Sequence, residues 1–121
     1  MLTQAVAVVA WWVWLWISPE ARARFAPAGE DTGLMAFAPG DLAFLAVLPL
    51  VIVFGVRRGA WWAPYALWCH AGACWYATVW AVTLAAREPT TWLGACMMVP
   101  LAVVATSIAS WWTRHATKGE R

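Results

Sequence analysis

Four apolar runs, residues 2–17, 42–56, 61–86 and 91–112, alternate with polar segments, and none contains Asp, Glu, Lys or Arg. A charged side chain at the bilayer centre costs about 2.5–3.5 kcal/mol on insertion scales. A charge-free run long enough to cross roughly 30 Å of hydrocarbon therefore reads as a membrane span. The pattern predicts an all-α integral membrane protein, an antiparallel four-helix bundle that takes up residues 1–121 as one domain.

The breakers between the runs define the ends. Ser18-Pro19 closes the first span, because Pro cannot continue a helix and the charges Glu20, Arg22 and Arg24 follow. Residues 18–40 hold Pro19, Pro27, Gly29, Gly33, Pro39 and Gly40 and are expected to form an irregular loop in which 34–37 dips into the interface. Asp41 is expected as N-cap of the second span, which Arg57-Arg58 stop and Pro49 kinks. That span reaches only about 23 Å. The third is long and the fourth carries a second kink at Pro100. Ala26-Pro27-Ala28 faintly resembles a signal cleavage site, but no Lys or Arg precedes the first run, so that run is expected to be retained.

Composition sharpens the class. Of 121 residues, 64% are hydrophobic and 12% charged, against roughly 45–50% and 25% in soluble domains. A net charge of +2 with scattered basic residues excludes nucleic acid as a partner. Membrane lipids, a second copy or the subunits of a membrane complex are the expected partners. Arg57, Arg58, Arg114, Lys118 and Arg121 fall on the side of the termini and Arg22, Arg24 and Arg87 on the other. This imbalance favours cytoplasmic termini, in a bacterial inner membrane, with the 18–40 loop outside. Of the acidic residues only Glu120 shares the side of the termini; Glu20, Glu30, Asp31, Asp41 and Glu88 lie opposite.

Tryptophan is the outstanding residue, with twelve copies. Trp14, Trp16, Trp61, Trp62, Trp92, Trp111 and Trp112 lie near span ends and suit the headgroup region. Trp11, Trp12, Trp68, Trp75 and Trp80 lie deeper, where each indole N–H needs an acceptor. Trp61, Trp68 and Trp75 recur every seventh residue and form one stripe of the third helix. Packing against lipid or a neighbouring helix is the plain reading of the stripe; a platform for a flat hydrophobic ligand is the sharper one.

A small-residue face that includes Ala73, Cys74, Ala77 and Ala81 is expected to meet Ala102 and Thr106 of the fourth helix as the close helix contact. His70 lies on that face. An imidazole at that depth is expected neutral, since burying its charge is costly. Thr106, Ser107 or a freed backbone carbonyl would bond it. Ala66, one turn before His70, leaves room for the alternative of an axial ligand to a tetrapyrrole, with Trp75 and Trp80 further along the helix. His115 is at the wrong depth to complete a two-histidine site, and Cys96, Met97 and Met98 are at the wrong level for a copper site with His70. No metal site is expected. Cys69, Cys74 and Cys96 have no zinc spacing and are expected to be buried thiols.

Catalytic parts are missing. No carboxylate lies inside a span for proton-coupled export, and no nucleophile–base pair can be named. The expected role is a non-catalytic accessory or scaffold subunit that packs against partner helices or lipid. The second reading is a binder of a flat hydrophobic ligand (isoprenoid, quinone, sterol-like or tetrapyrrole) through Trp68, Trp75 and His70, with Ala66 and Trp80 beside them. A small membrane enzyme is third. The scaffold needs no cofactor; the second reading admits a tetrapyrrole or a quinone.

Overall fold

The computed structural model describes residues 1–26 and 31–116. Pro27 and Ala28 of the cleavage-like triplet, and Glu30, Lys118, Glu120 and Arg121 of the charge count, lie outside the described residues. Among those described, the fold is all helical, with no strand.

Helix α1, Leu2–Ile17, ends where the sequence predicts. Pro19 forces Ser18 into extended backbone (φ −122°, ψ 104°). The Ser18 hydroxyl then accepts the Ala21 N–H at 3.1 Å and caps α2, Pro19–Arg22. Arg22 reaches back and donates to the Leu15 carbonyl at 2.7 Å and the Trp16 carbonyl at 3.3 Å, covering two of the last carbonyls of α1. This bends the chain under α1, and Ala21, Phe25 and Ala26 are buried.

The predicted irregular loop over 18–40 is therefore corrected at both ends. After α2, helical structure resumes with α3, Asp31–Ala36, and α4, Ala38–Asp41. It continues through a π-helical stretch, Leu42–Val47, into α5, Leu48–Arg57. Gly33–Arg57 is in effect one helix of 25 residues, about 37 Å long, well beyond the roughly 23 Å expected of residues 42–56 alone. Pro39 does not break it because it sits in the first turn of α4, where its missing N–H costs nothing. Asp41 is consequently not an N-cap. It has helical φ and ψ of −62° and −43° and makes no capping bond.

Helix α5 closes with a pair of bonds, Gly59 N–H to the Val56 carbonyl at 3.2 Å and Ala60 N–H to the Gly55 carbonyl at 2.9 Å. This is a Schellman ending, and Gly59 at φ +62° supplies the left-handed residue it requires. The chain turns into α6, Ala63–Arg87, and the Trp62 ring lies on Gly55, where a Cβ would meet Cζ3 and Cζ2 at 2.7 and 2.9 Å. Glu88 is extended before Pro89, a single 3-10 turn follows at Pro89–Thr91, and α7 runs over Trp92–Ala116 with Pro100 inside it.

Consecutive helices pack in chain order: α1 on the 42–57 stretch, that stretch on α6, and α6 most extensively on α7. Two helices, Gly33–Arg57 and Pro89–His115, are long and apolar enough to cross a membrane, with mean hydropathy 2.2 and 1.9. The other two fall short of that measure for different reasons. Helix α1 has only 16 residues, while α6 is long but carries His70, two tyrosines and three of the tryptophans, whose polar atoms lower its hydropathy.

Candidate functional site: a polar cluster and an aromatic cavity

Pro49 creates the first feature. In the π-helical register the Leu48 N–H bonds the Ala43 carbonyl, so the next donor, for the Phe44 carbonyl, would be residue 49, which has no N–H. His70 fills the gap: its Nδ1 lies 2.9 Å from the Phe44 carbonyl oxygen. A neutral imidazole that donates from Nδ1 must accept at Nε2. There the Gln4 amide nitrogen lies at 3.2 Å, and the same nitrogen reaches the Leu45 carbonyl at 3.4 Å. The Cys74 sulfur is 3.7 Å from Nε2. His70 is completely buried, and both ring nitrogens are engaged, which ties α1, the π-helical stretch and α6 together.

The expectation of a freed carbonyl as the partner is thus met, while Thr106 and Ser107 are elsewhere. Their hydroxyls bond the Ala102 and Val103 carbonyls of their own helix at 2.8 Å each. Gln4 was not singled out from the sequence, although with Thr3 it is the only polar side chain inside the first span.

The Trp68 and Trp75 stripe faces α7 and not His70. Trp75 Nε1 donates to the Thr106 hydroxyl at 2.9 Å and Trp68 Nε1 to the Thr113 hydroxyl at 3.1 Å. Each threonine spends its own proton on the carbonyl four residues earlier, which leaves lone pairs for the indole. The Thr78 hydroxyl lies 2.8 Å from the Cys74 carbonyl and 3.0 Å from the Met98 carbonyl, a third link between the two helices. Alanines fill the gap between them. Ala81, Ala85 and Ala95 form one buried group, and Ala102, Ala105 and Ala109 are buried along α7. Of the expected contact residues, Cys74, Ala81 and Ala102 are buried and Thr106 is half-buried. Ala73 and Ala77 instead line a cavity.

That cavity, about 520 Å³, lies between α1, the 33–57 helix, α6 and the start of α7. Aromatic side chains dominate its wall: Trp11 and Trp12 from α1, Phe25, Phe37 and Phe44, and Tyr76 and Trp80 from α6. Trp11 packs edge-on against Trp12 at 4.9 Å and against Phe25 at 5.4 Å, and Phe37 against Trp80 at 4.5 Å. Trp12 and Leu45 are buried deep in the wall, whereas Phe44, Cys69, Tyr76 and Met97 are exposed and mark an opening at the side.

Polar groups are few. The Trp11 and Trp12 indole N–H groups are buried and meet no acceptor in good hydrogen-bond geometry among the described residues. Asp41, displaced from its expected capping role into the helix, lines the cavity beside the Trp12 indole. Asp41 thus lies inside Gly33–Arg57, a helix long and apolar enough to cross a membrane, and not at its start as expected. Of the expected ligand-binding residues, only Trp80 lines the cavity; His70, Ala66, Trp68 and Trp75 do not.

The expectation of three buried thiols is also corrected. Only Cys74 is buried, and Cys69 and Cys96 are exposed. No group of three metal-ligating side chains occurs among the described residues. The site is suited to binding an apolar molecule: its volume lies within the roughly 300–1,000 Å³ usual for ligand pockets, and apolar walls with a few polar points are their common form. No model of a known protein family matches the chain, and no curated protein or solved structure matches it.

Proposed function

We propose that the chain is a multi-pass integral membrane protein, an antiparallel four-helix bundle that binds a hydrophobic molecule from the bilayer in the cavity between its helices. The membrane reading is supported by where the apolar surface lies. In the most apolar stretches of Gly33–Arg57 and Pro89–His115 only 28% and 22% of the residues are buried inside the molecule, the reverse of a core helix in a soluble domain. Helix α6 joins them as a span because no Asp, Glu, Lys or Arg occurs between Ala63 and Ala86. The Lys and Arg distribution gives cytoplasmic termini, in a bacterial inner membrane.

One observation carries the binding reading: an aromatic cavity of about 520 Å³ between the helices, open at the side. Its opening is at mid-helix on α6, at Cys69 and Tyr76, so in a bilayer a ligand enters from the side.

Gly72 provides the test. It lines the cavity, and nothing lies within 4 Å of where its Cβ would be. Gly72→Leu should block the cavity while leaving thermal stability unchanged or improved, since Leu is the better helix former by up to about 1 kcal/mol. Mass spectrometry of lipids extracted from gently purified protein should show a hydrophobic species in the wild type that is depleted in the variant. Identical extracts would favour the scaffold role, in which the exposed faces of the outer helices meet partner helices and the cavity is only a packing defect.

A further inference from the structure

Among the described residues Asp41 is the one charged side chain on the cavity wall. It stands eight positions after Gly33, about 12 Å into the Gly33–Arg57 helix, and is half-buried. No Lys, Arg or His lines the cavity with it. A carboxylate inside a span is costly without a positive partner, and such groups characteristically mark the seat of a substrate. What surrounds Asp41 is aromatic. Phe37 and Phe44 lie one turn before and one turn after it, which puts the three side chains on one face of the helix, and all three line the cavity. Trp80 packs on Phe37 with ring centroids 4.5 Å apart. The Trp12 indole beside Asp41 does not saturate it, because an ionised carboxylate has about four acceptor sites and an indole supplies one proton. The opening is next to the carboxyl group, since Gly40 and Phe44 are exposed on its own helix, as are Gly72 and Tyr76 on α6.

A carboxylate flanked by aromatic rings complements an organic cation: the carboxylate supplies the counter-charge, and ring faces attract positive charge, more strongly when it is desolvated. Other classes leave something unmet. An anion meets like charge, and a neutral lipid leaves the carboxylate uncompensated. A small metal ion requires about six oxygen ligands. Oxygen donors are scarce on this wall, where the Thr91 hydroxyl is already spent on the Glu88 carbonyl. Resting on the proposed binding role, we infer that the cavity takes an amphiphilic organic cation, an ammonium group on a hydrocarbon body. Its charge is held at Asp41 between Phe37 and Phe44, and its body lies against Trp80 and Ala77.

The test uses full-length protein in mild non-ionic detergent and tritiated dodecyltrimethylammonium. The competitors are the unlabelled cation, its neutral carbon isostere, in which tert-butyl replaces trimethylammonium, and dodecylsulfonate. The cation should compete about tenfold or more better than the isostere of the same shape, and the sulfonate should not compete. Asp41→Asn keeps the size, removes a charge from the span and should fold at least as well; it should bring cation and isostere within about threefold of each other. Phe44→Leu, a change at an exposed position, should weaken the cation by about two- to fivefold and leave the isostere nearly unchanged. Gly72→Leu should abolish binding of both. Equal competition by cation and isostere in the wild type, lost in Gly72→Leu, would overturn the ligand class and leave the cavity reading in place. A cation preference that persists in both Asp41→Asn and Phe44→Leu would overturn the assignment to this group. If the probe does not bind and no competitor protects the protein against heat, or if Gly72→Leu binds every ligand as the wild type does, the binding role itself falls.

Discussion

Helix α6 separates two kinds of tryptophan. On the side facing α7, Trp68 and Trp75 end in threonine hydroxyls at 3.1 and 2.9 Å although both rings are substantially exposed. Across the cavity on its other side, Trp11 and Trp12 are more deeply buried and their N–H groups meet no well-aligned acceptor among the described residues. Cost runs opposite to what burial alone would dictate, since an unmet donor is dearer in the interior than at the surface. The α6–α7 pair is thus a finished interface, closed by alanines and by indole–threonine bonds. The α1 side of the cavity is not closed in the same way, since its two indole N–H groups lack a well-aligned acceptor among the described residues.

Packing should separate the two sides most strongly. Ala102 is fully buried on α7, and Ala102→Leu should lower stability by about 1–3 kcal/mol through overpacking. Ala77→Leu projects from the cavity wall and should cost less than about 1 kcal/mol, because the wall has room. Thermal unfolding in detergent measures both; equal losses would mean that the cavity closes up and the contrast is false.

His70→Leu tests the link between α1 and α6. It strands the Phe44 carbonyl and leaves the Gln4 amide with only the Leu45 carbonyl, and should cost about 1–2 kcal/mol, less than the full penalty for unmet buried groups because helices in membranes find other partners. Under the proposed binding role, the lipid content of purified protein should be unchanged in this variant, since His70 does not line the cavity. Loss of a visible absorption band in this variant would restore the axial-ligand reading. Its neutral partner, Gln4→Leu, should cost about 0.6 kcal/mol, the typical worth of one hydrogen bond in a membrane interior.

The smallest effect is the most diagnostic. Replacing the Trp75 indole with a benzothiophene, which keeps the shape and removes the N–H, should cost about 0.6 kcal/mol of stability. The same replacement at Trp12 should cost nothing, or stabilise the ligand-free protein slightly, because the group removed has no partner. A loss at Trp12 as large as at Trp75 would show that its N–H is paired with Asp41 after all, and would erase the contrast between the two pairs.

Helix identity was legible in the sequence because it depends on local properties. Absence of charge, the Ser18-Pro19 and Glu88-Pro89 breaks and the Arg57-Arg58 stop all appear in the folded chain within a residue or two of their expected places. The alanines of α6 and α7 were legible for the same reason, since small size is a property of the residue and not of its surroundings. The 18–40 segment was misread because breakers were counted without their positions. Pro39 in a first helical turn starts a helix and does not end one, and Pro19, which ends α1, also opens α2 behind a capping serine.

What depended on tertiary structure was every pairing across helices. Heptad spacing puts Trp68 and Trp75 on one face of α6, but whether that face meets His70's neighbours or the threonines of α7 depends on how each helix is rotated about its axis. Periodicity within one helix contains no information about that rotation. The missing N–H of Pro49 could be foreseen; that the orphaned carbonyl would be Phe44's followed from the π-helical register, and that His70 would answer it followed from packing. Gln4 and His70 are 66 positions apart, and Asp41 became a cavity residue only when the helix around it grew through its expected cap. The sequence alone determined that this chain forms apolar helices with small and aromatic faces, because composition and local backbone preference act within a few residues. Which donors were satisfied and which were left open was decided by the fold, because a hydrogen bond between helices exists only at one relative depth and rotation.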